Sequence, residues 1–421
     1  MYHTALRPYA LKRLEEVGSA DILIGIPSYN NEQTIAHVVQ MVSHGLDKYF
    51  KDHKNVIMIA DGGSTDDTRD VVKEFQLKPW QEKMLSIYRG PSGKGTAFRS
   101  IFEAAVMLDV KACVVVDSDI RSITSDWVHY LLQPVLEKGY QYVTPVYCRH
   151  KYDGTITNNV VYNLTRALYG KRIRQPIGGD FAFSKDVAAY YINQTVWDTE
   201  IARFGIDIWM TTQAIVQGFK ICQANLGVKI HDAKDPAVHL GPMFRQVVWT
   251  MFHLMEQNEP CWKEIKKSTP VKIFGAEGCS EPEEIKVDLD KLIYNFKIGF
   301  KQFRPFWKDI FAPASYNDIK KAAKMDANDF TIPTETWVRI LYELAATFHY
   351  WPMNRNKLID LVTPLYNARV ASFVRETLDM NSFEAEKVVE KQAEVFEDQK
   401  GYLIKMWDRK RKKFEKMSEK I

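Results

Sequence analysis

The segment VVVDSDIRS, residues 114–122, joins a run of three valines to two aspartates that are one residue apart. Three consecutive branched apolar residues favour a strand that is buried on both faces of a sheet. Carboxylates rarely lie against a core unless something binds them, so Asp117 and Asp119 predict a ligand site. If the segment is extended, both side chains point the same way and face one divalent cation, Mg²⁺ or Mn²⁺. A capped turn without a metal is the alternative.

The residues before this segment alternate between strand and helix signals. Buried-strand patterns occur in ADILIGIPSYN, KNVIMIADGG, MLSIYR and ACVVVD, and apolar residues at helical spacing separate them. We expect Ser64 to be the N-cap of the second of these helices. This order predicts an α/β fold with a Rossmann-like, mostly parallel sheet covered on both faces. Such sheets bind ligands beyond the carboxyl ends of their strands, where Pro27–Asn30, Asp61–Ser64 and Asp117–Asp119 are expected to meet.

The second half of the chain changes to a helical pattern. Residues 140–245 carry further strand signals around one helix, and apolar stripes at helical spacing continue from about residue 285. We expect an N-terminal segment at 1–20, an α/β domain at 21–250 and a mostly helical region at 251–421. The basic run RKRKKFEK at 409–416 is interpreted as a solvated helix end, with an anionic contact as the alternative.

Composition excludes several classes of function. The chain has 421 residues with 46% hydrophobic and 26% charged content, and its net charge of +4 is too small to indicate nucleic-acid binding. No apolar stretch approaches the roughly 18 residues of a membrane span, and no signal-peptide pattern opens the sequence. The five cysteines are odd in number and lack metal-ligand spacing, so we expect a reduced, cytoplasmic protein.

Two glycine-containing stretches suggest contacts with a ligand. GPSGKGTAF at 90–98 fails the P-loop pattern, because Tyr88 and Gly95 stand where glycine and Ser/Thr are required. Lys94 at a helix start still favours an anion, and a flexible turn is the alternative. In QPIGGDFAFS, Gly178 and Gly179 permit close approach of a ligand, although this stretch by itself favours a tight turn.

An acid and a histidine lie further along the chain. Asp207 interrupts the apolar stretch RFGIDIWMT, where an acid is either paired or lines a cleft. His231 follows a strand-like alternation in NLGVKIHD, and imidazole binds Mn²⁺-type ions alongside carboxylates. A structural histidine is the alternative.

The order of these motifs resembles one superfamily, the GT-A nucleotide-sugar glycosyltransferases. Within it the chain is most similar to the glucosyl-3-phosphoglycerate and mannosylglycerate synthases. The matching series within residues 21–250 is SYNNEQTI, DGGSTDDT, GKG, DSD, QPIGGD, GID and KIHD; ETWVRILYELA and LVTPLYNARVASFV match more weakly. The resemblance implies a GT-A domain followed by helices. It also implies retaining, metal-dependent transfer of a hexose from UDP-glucose or GDP-mannose to D-glycerate or 3-phosphoglycerate.

The resemblance implies a role for each matched residue. Catalytic roles fall on Lys94, which faces the departing diphosphate, and on Asp207, which lies near the transferred sugar. Asp119 and His231 would bind the metal. The donor would contact Pro27, Ser28, Tyr29, Glu32, Asp61, Lys94, Asp117, Ser118, Gly178, Gly179 and Asp180.

Acceptor binding is implied for Gly154, Thr157 and Arg149. The family's G-R-x-T motif for the acceptor phosphate reads GTIT at 154–157, so its arginine is missing from this chain. That departure favours free glycerate over the phosphorylated acceptor.

We expect a homodimer, with the helical tail as its interface. Two alternative functions remain open. The first is an inverting GT-A transferase acting on a lipid phosphate or polysaccharide, which the lack of a membrane segment and of a Q-x-x-R-W motif disfavours. The second is a nucleotide-sugar binder without turnover, which the presence of both aspartates, Lys94 and His231 disfavours.

Overall fold

The computed structural model describes residues 3–231 and 241–418, with side chains described as far as residue 409. The chain divides into two compact units. The first unit comprises Met1–Arg149, Ile173–Asp232 and Pro270–Pro282, and the second comprises His150–Arg172, Ala233–Thr269 and Glu283–Ile421. The boundaries expected after residues 20 and 250 stay predictions, and each compact unit is assembled from three separate segments of the chain. Hydrophobic spacing identifies a helix but not the body against which it packs.

Strands and helices alternate along the first half of the chain, and helices dominate the second half. The strands are β1 (Ile22–Ser28), β2 (Asn55–Asp61), β3 (Glu82–Ile87), β4 (Ala112–Val115), β5 (Tyr142–Cys148), β6 (Lys171–Arg172), β7 (Phe181–Ser184), β8 (Ile221–Val228), β9 (Thr269–Pro270) and β10 (Ile273–Gly275). The α-helices are α1 (Pro8–Val17), α2 (Ile35–Tyr49), α3 (Thr68–Glu74), α4 (Lys94–Met107), α5 (Ser125–Lys138), α6 (Tyr162–Tyr169), α7 (Lys185–Ile192), α8 (Ile206–Val216), α9 (Gly241–Gln257), α10 (Glu259–Glu264), α11 (Leu289–Ile310), α12 (Pro313–Ala322), α13 (Thr334–Tyr350), α14 (Arg355–Glu376), α15 (Ser382–Asp398) and α16 (Lys400–Ser418). A π-helical turn covers Thr157–Val161, and 3₁₀ turns cover Glu200–Ala202 and Ala327–Asp329.

The first unit is built on one large sheet. In the described part of the chain its eight strands have the order β10-β8-β5-β7-β4-β1-β2-β3. All neighbours pair in parallel except at β7, which is antiparallel to both β4 and β5. The predicted mostly parallel α/β sheet is therefore confirmed.

Apolar side chains explain why this sheet forms. Every residue of β2 is buried, as expected for a strand covered on both faces. On α2 the buried residues recur at helical spacing and join one core cluster with β1; they are Ile35, Val38, Val39, Val42 and Leu46, with Ile22, Ile24 and Ile26 of the strand. Each such side chain contributes about 1.5–3 kcal/mol when it is removed from water.

The predicted N-cap at Ser64 is wrong. Helix α3 begins at Thr68, and the Asp66 carboxylate accepts hydrogen bonds from the backbone N–H and hydroxyl of that residue. The Ser64 hydroxyl is used elsewhere, because it donates to Asp61 at 2.6 Å and accepts from the Asn30 N–H at 2.9 Å.

Two cysteines differ from the expectation of a fully reduced chain. Cys148 of β5 and Cys279 are joined by a disulfide within the first unit. They are 131 residues apart, so their spacing gave no sign of the pairing. Cys113 and Cys222 are buried and free, and Cys261 is exposed and free.

The second unit confirms the predicted helical region. It contains α6 and the helices from α9 to α16, and its interior buries Arg369 of α14 completely. That guanidinium donates to Glu376 through both terminal nitrogens, at 2.8 and 2.7 Å, and to the side chains of Asn159 and Gln392. No described helix combines the length and apolarity needed to cross a membrane. Most of the basic run at 409–416 lies outside the described side chains.

Candidate active site

The predicted site residues come together at one edge of the sheet in the first unit. The register pairs Ser28 with Asp61, so the ends of β1 and β2 lie side by side. Strand β7 runs antiparallel to β4, and Val115 pairs with Phe181. The start of β7 therefore lies beside the end of β4, which brings Asp180 next to Asp117.

Asp61 organises the loop after β2. Its carboxylate is fully buried and accepts hydrogen bonds from the N–H groups of Gly63 and Ser64, at 2.8 and 2.9 Å. It also accepts from the hydroxyls of Ser28 and Ser64. Four donors from the chain itself therefore hold this acid, which fixes the shape of the loop.

The loop after β1 presents an exposed aromatic ring. Tyr29 is 58% exposed, and its ring edge lies 3.2 Å from where a Cβ on Gly62 would stand. Pro27 pairs with Ala60 in the sheet, and the exposed Glu32 accepts a hydrogen bond from the Asp67 N–H at 2.9 Å. The ring of Tyr29 is thus available for stacking beside a loop held by hydrogen bonds.

The D-S-D segment is a turn, not the extended stretch that the sequence suggested. Strand β4 ends at Val115, and residues 116–119 have no strand structure. The Ser118 hydroxyl donates to the Asn31 side chain at 2.7 Å and ties this turn to the loop after β1. Asp117 and Asp119 consequently have different surroundings.

Lys94 lies between two carboxylates. Its Nζ is 2.7 Å from Asp117 Oδ1 and 3.3 Å from Asp207 Oδ2. Burial lowers the pKa of Lys94, but the two carboxylates outweigh burial and raise it above its usual value. An ammonium has three N–H groups, so one is left over once these two described partners are counted.

Gly95 explains how Lys94 comes close to Asp207. A Cβ on Gly95 would lie 2.0 Å from the carbonyl oxygen of Ile201, so only glycine fits there. The Gly95 N–H also donates to the Arg203 carbonyl at 3.1 Å. The start of α4 is therefore packed against the segment that leads into α8, whose first turn carries Asp207.

Lys229 lies on the other side of Asp117 and was missed by the sequence analysis. Its Nζ donates to the Gly178 carbonyl at 2.8 Å, to Asp180 Oδ2 at 2.9 Å and to Asp117 Oδ2 at 3.2 Å. Burial opposes its charge, but Asp180 and Asp117 raise the pKa of Lys229. The sequence signal was its position two residues before His231 in KIHD, on the same face of an extended segment.

Asp180 is completely buried and bonded on both oxygens. Its Oδ1 accepts from the Asp117 N–H at 2.9 Å, and its Oδ2 accepts from Lys229 and from the hydroxyl of Tyr147. Burial raises the pKa of Asp180, and Lys229 only partly offsets that effect. Tyr147 was also missed by the sequence analysis, because nothing in YVTPVY distinguishes it from a core tyrosine.

The glycine pair packs directly on Asp117. Gly179 has φ of 92°, and a Cβ at this position would lie 1.9 Å from Asp117 Oδ2. At Gly178 a Cβ would lie 2.2 Å from the ring of Pro145. Side chains are excluded at both positions, which explains the G-G-D motif without a ligand.

Asp207 has one carboxylate oxygen without a partner. Its Oδ2 lies by Lys94, whereas Oδ1 is buried and has no hydrogen bond among the described residues. Burial raises the pKa of Asp207 to about 6, although Lys94 acts in the opposite direction. A buried acceptor without a donor indicates that a ligand hydroxyl or water completes it.

The predicted metal ligands belong to two stretches of backbone that are bonded to each other. Ile120, which follows Asp119, forms a β-bridge with His231, and the Arg121 N–H donates to the Ile230 carbonyl at 2.9 Å. His231 Nε2 lies 3.2 Å from Arg149 Nη2. A guanidinium can only donate, so this imidazole nitrogen accepts, and binding a metal through it requires Arg149 to move.

One carboxylate and one imidazole suit Mn²⁺ or Mg²⁺ when phosphate oxygens complete the coordination. Over residues 3–231 and 241–409 no group of three or more His, Cys, Asp or Glu side chains is arranged to hold a metal by itself. The donor set therefore fits a metal that arrives with a phosphorylated ligand.

The predicted acceptor residues belong to different units. Arg149 ends a segment of the first unit, whereas Gly154 and Thr157 belong to the second. There Gly154 has φ of 67°, and Thr157 is buried as the first residue of the π-helical turn. Their assignment to the acceptor stays a prediction.

Comparison with known proteins finds one family model that matches the first part of the chain. Residues 23–189 match the family model described as glycosyl transferase family 2. None of the curated proteins searched matches significantly. The matched residues include β1 to β5, β7 and both aspartates of the D-S-D turn.

Among solved structures, the chain is similar to glucosyl-3-phosphoglycerate synthase from Mycobacterium tuberculosis. The structure with Mn²⁺, UDP and glucosyl-3-phosphoglycerate is 25% identical, with a TM-score of 0.44, over 59% of this chain and 84% of that chain. The structure with Mn²⁺, UDP-glucose and phosphoglyceric acid is 25% identical, with a TM-score of 0.43, over 59% and 85%. Residues 23–189 are thus similar to glycosyl transferase family 2.

Proposed function

We propose that the protein is a metal-dependent hexosyltransferase that moves glucose or mannose from a nucleotide diphosphate sugar to a glycerate-type acceptor. The observation that carries the proposal is the buried Lys94–Asp207 pair. It leaves one ammonium N–H and the Asp207 Oδ1 atom unused among the described residues. The unused N–H of Lys94 suits a phosphate oxygen, and Oδ1 of Asp207 suits a sugar hydroxyl. A nucleotide sugar carries both groups.

The charges of the site suit the departure of a diphosphate. Burial opposes the ionised form of Asp117, but Lys94 and Lys229 hold the pKa of that carboxyl well below its usual range. Asp117 therefore stays an acceptor for ribose or sugar hydroxyls. Lys94 donates to the departing diphosphate, where negative charge develops. Asp119 and His231 would hold the divalent cation, which neutralises diphosphate charge when bound.

Retention by front-face displacement is the proposed stereochemistry. A specific observation supports the alternative, an inverting transferase acting on a lipid phosphate or polysaccharide. Asp207 has a raised pKa of about 6 and a free buried oxygen, which are properties of a general base. The anomeric configuration of the product, read by proton NMR, separates the two mechanisms.

The acceptor is proposed from the order of the sequence motifs. GTIT at 154–157 lacks the arginine that the family uses for an acceptor phosphate, which favours glycerate over 3-phosphoglycerate. UDP-glucose and GDP-mannose are both retained as donors.

The test is a matrix of donors and acceptors with Mg²⁺ or Mn²⁺, read by mass spectrometry of the product. We expect a hexosyl glycerate, or its phosphate, from at least one pair. Failure of both acceptors with every donor, while donor hydrolysis proceeds, would remove the glycerate assignment. Absence of any turnover with retained binding of UDP would favour a non-catalytic nucleotide-sugar binder.

The metal assignment has its own variant. Asp119→Ala should abolish turnover, by about 1,000-fold or more if the metal carries the diphosphate charge. Asp119 is only half buried, so the melting temperature should change little. Asp66→Ala is the control, since Asp66 is likewise a half-buried loop acid and is bonded to Thr68. Substantial activity in Asp119→Ala would remove that residue from the site.

A further inference from the structure

The structure assigns a positioning role to Tyr147, Asp180 and Lys229. We propose that these three residues, named the positioning triad, hold Asp117 in place for the transfer reaction without touching the substrate. The inference deepens the proposed function and rests on it. It departs from the sequence expectation that Asp180 contacts the donor.

Two lysines flank Asp117, and they differ in how many protein acceptors each one has. Lys229 has three N–H groups and three protein acceptors within 3.2 Å, at Gly178 O, Asp180 Oδ2 and Asp117 Oδ2. Lys94 has two carboxylate partners, in Asp117 and Asp207. Lys229 is therefore satisfied by the protein, with its side chain 4% exposed, whereas Lys94 keeps one N–H for a ligand.

Asp180 makes all of its hydrogen bonds to donors of the protein. Its side chain is fully buried, and its two oxygens accept from three donors of the protein. A carboxylate in this state has no oxygen directed to a substrate. It reaches the reaction only through the groups to which it is bonded, the Asp117 N–H and the Lys229 ammonium.

The positioning triad is bonded to both the backbone N–H and the carboxylate of Asp117. Asp180 Oδ1 holds the Asp117 backbone N–H at 2.9 Å, and Lys229 holds the Asp117 Oδ2 atom at 3.2 Å. Tyr147 supplies the second donor to Asp180 Oδ2, and the centre of its ring lies 4.7 Å from the Lys229 ammonium. Removal of the Tyr147 hydroxyl or of the Lys229 ammonium takes a donor from Asp180 and lets its carboxylate shift. Asp117 then shifts as well, because it is bonded to both Asp180 and Lys229.

The close packing of Gly179 accounts for the orientation of Asp117 without a substrate contact. The backbone of Gly179 lies so close to Asp117 Oδ2 that even a Cβ would stand 1.9 Å from that atom. Asp117 Oδ2 therefore faces the protein, while Oδ1 faces Lys94. The protein therefore holds Asp117 through Oδ2, whereas Oδ1 lies beside Lys94, where the transfer is proposed to take place.

The test uses the 421-residue chain and two variants of different severity. Tyr147→Phe deletes one hydroxyl and should lower kcat about 10-fold, while the KM for the donor changes less than about 3-fold. Lys229→Met should lower kcat about 100-fold, because displacing a reacting group by about 1 Å has that effect. Lys229→Arg, which keeps the charge and its donors, should recover most of the lost activity.

Two control variants make the same chemical change outside the triad. Lys83→Met removes a lysine whose ammonium likewise has three acceptors, the carbonyls of Val72, Lys73 and Phe75 at 2.7–2.8 Å. Tyr49→Phe removes a tyrosine hydroxyl that donates to a carboxylate, that of Asp126. These controls should lower the melting temperature as the triad variants do, but leave kcat within about 2-fold of wild type.

The outcomes separate this inference from the proposed function. Folded triad variants whose kcat matches their controls would overturn the positioning role while leaving the transferase intact. A wild-type protein without turnover would overturn the proposed function instead. In that case a crystal structure of Tyr147→Phe decides, because we expect the 2.7 Å Lys94–Asp117 contact to lengthen. An unchanged contact would overturn the inference.

Discussion

Each unit of the chain buries a cluster of charged side chains, and the two clusters are satisfied to different degrees. In the second unit the fully buried Arg369 donates to Glu376, Asn159, Gln392 and the Ile332 carbonyl. In the first unit the Lys94–Asp207 pair is buried with one carboxylate oxygen unpartnered among the described residues. Buried charge is costly in both places, and saturation with protein partners is the property of a structural cluster. An unsatisfied atom beside a buried charge is the property of a binding site.

Lys94→Met gives the largest expected effect on activity. The variant removes the one described cation that retains a free N–H beside Asp117, so kcat should fall about 100- to 1,000-fold. The measurement is steady-state turnover with the donor identified from the substrate matrix. Lys185→Met, which removes an exposed lysine paired with Asp109, is the control. If Lys94→Met lost stability and kept its activity, the first cluster would be structural like the second.

Arg369→Leu gives the largest expected effect on stability. Removing one partner of a buried ion pair costs about 3–5 kcal/mol, and in this cluster it also leaves Asn159 and Gln392 without their shared donor. Urea denaturation, followed by circular dichroism, measures the free energy of unfolding. The control Arg245→Leu breaks a surface pair with Asp360 and should cost less than about 1 kcal/mol. Equal losses in the two variants would contradict the structural role of the second cluster.

The sequence predicted the sheet because its signals are local. Apolar runs such as NVIMIA and the helical spacing in α2 identify elements that the structure contains. The carboxyl-edge rule then predicted, from the sequence alone, that Pro27–Asn30, Asp61–Ser64 and Asp117–Asp119 belong to one region. The boundary between units could not be predicted, since the helical segment 150–172 packs with the second unit although it lies between strands of the first.

The missed residues show where local signals end. Lys229 and Tyr147 both act through contacts with Asp180, which is 49 residues from Lys229 and 33 residues from Tyr147. No spacing rule connects either residue to Asp180. Asp180 was identified from the G-G-D motif, but its burial depends on the antiparallel entry of β7, which the sequence did not reveal. The cysteine pair is a similar case, because 131 residues separate its members.

The pH dependence of activity tests the carboxylate of Asp207, whose Oδ1 has no partner among the described residues, more directly than Lys94→Met does. Burial raises the pKa of Asp207 from the ordinary value of 3.8 to about 6. If the ionised form is required, kcat/KM should fall about tenfold per pH unit below pH 6 and be level above it. Asp207→Asn should lose this acidic limb, and Asp186→Asn, at an exposed position in the first turn of α7, should keep it.

The same shift has a consequence for stability. A folded-state pKa above the unfolded value means that the folded protein binds more protons between pH 4 and 6. Stability should therefore fall as pH rises through that window, by at most about 3 kcal/mol from this group. Asp207→Asn should flatten that part of the stability curve. An unchanged slope would indicate that Asp207 titrates normally and that its environment is not a desolvated binding pocket.

The smallest expected effect separates the loop after β1 from the buried cluster. Tyr29 is 58% exposed, and its ring lies beside the loop that Asp61 organises. Stacking of a base on an aromatic ring contributes about 1–3 kcal/mol, so Tyr29→Ala should raise the dissociation constant for UDP about 10-fold. Calorimetric titration with UDP and Mn²⁺ measures it, and Tyr294→Ala, at a 63% exposed tyrosine of the second unit, is the control. Because the buried cluster is untouched, kcat at saturating donor should stay within about 2-fold of wild type. A fall in kcat with unchanged affinity would mean that the loop and the cluster act as one unit, and the distinction between a binding loop and a reacting cluster would have to be abandoned.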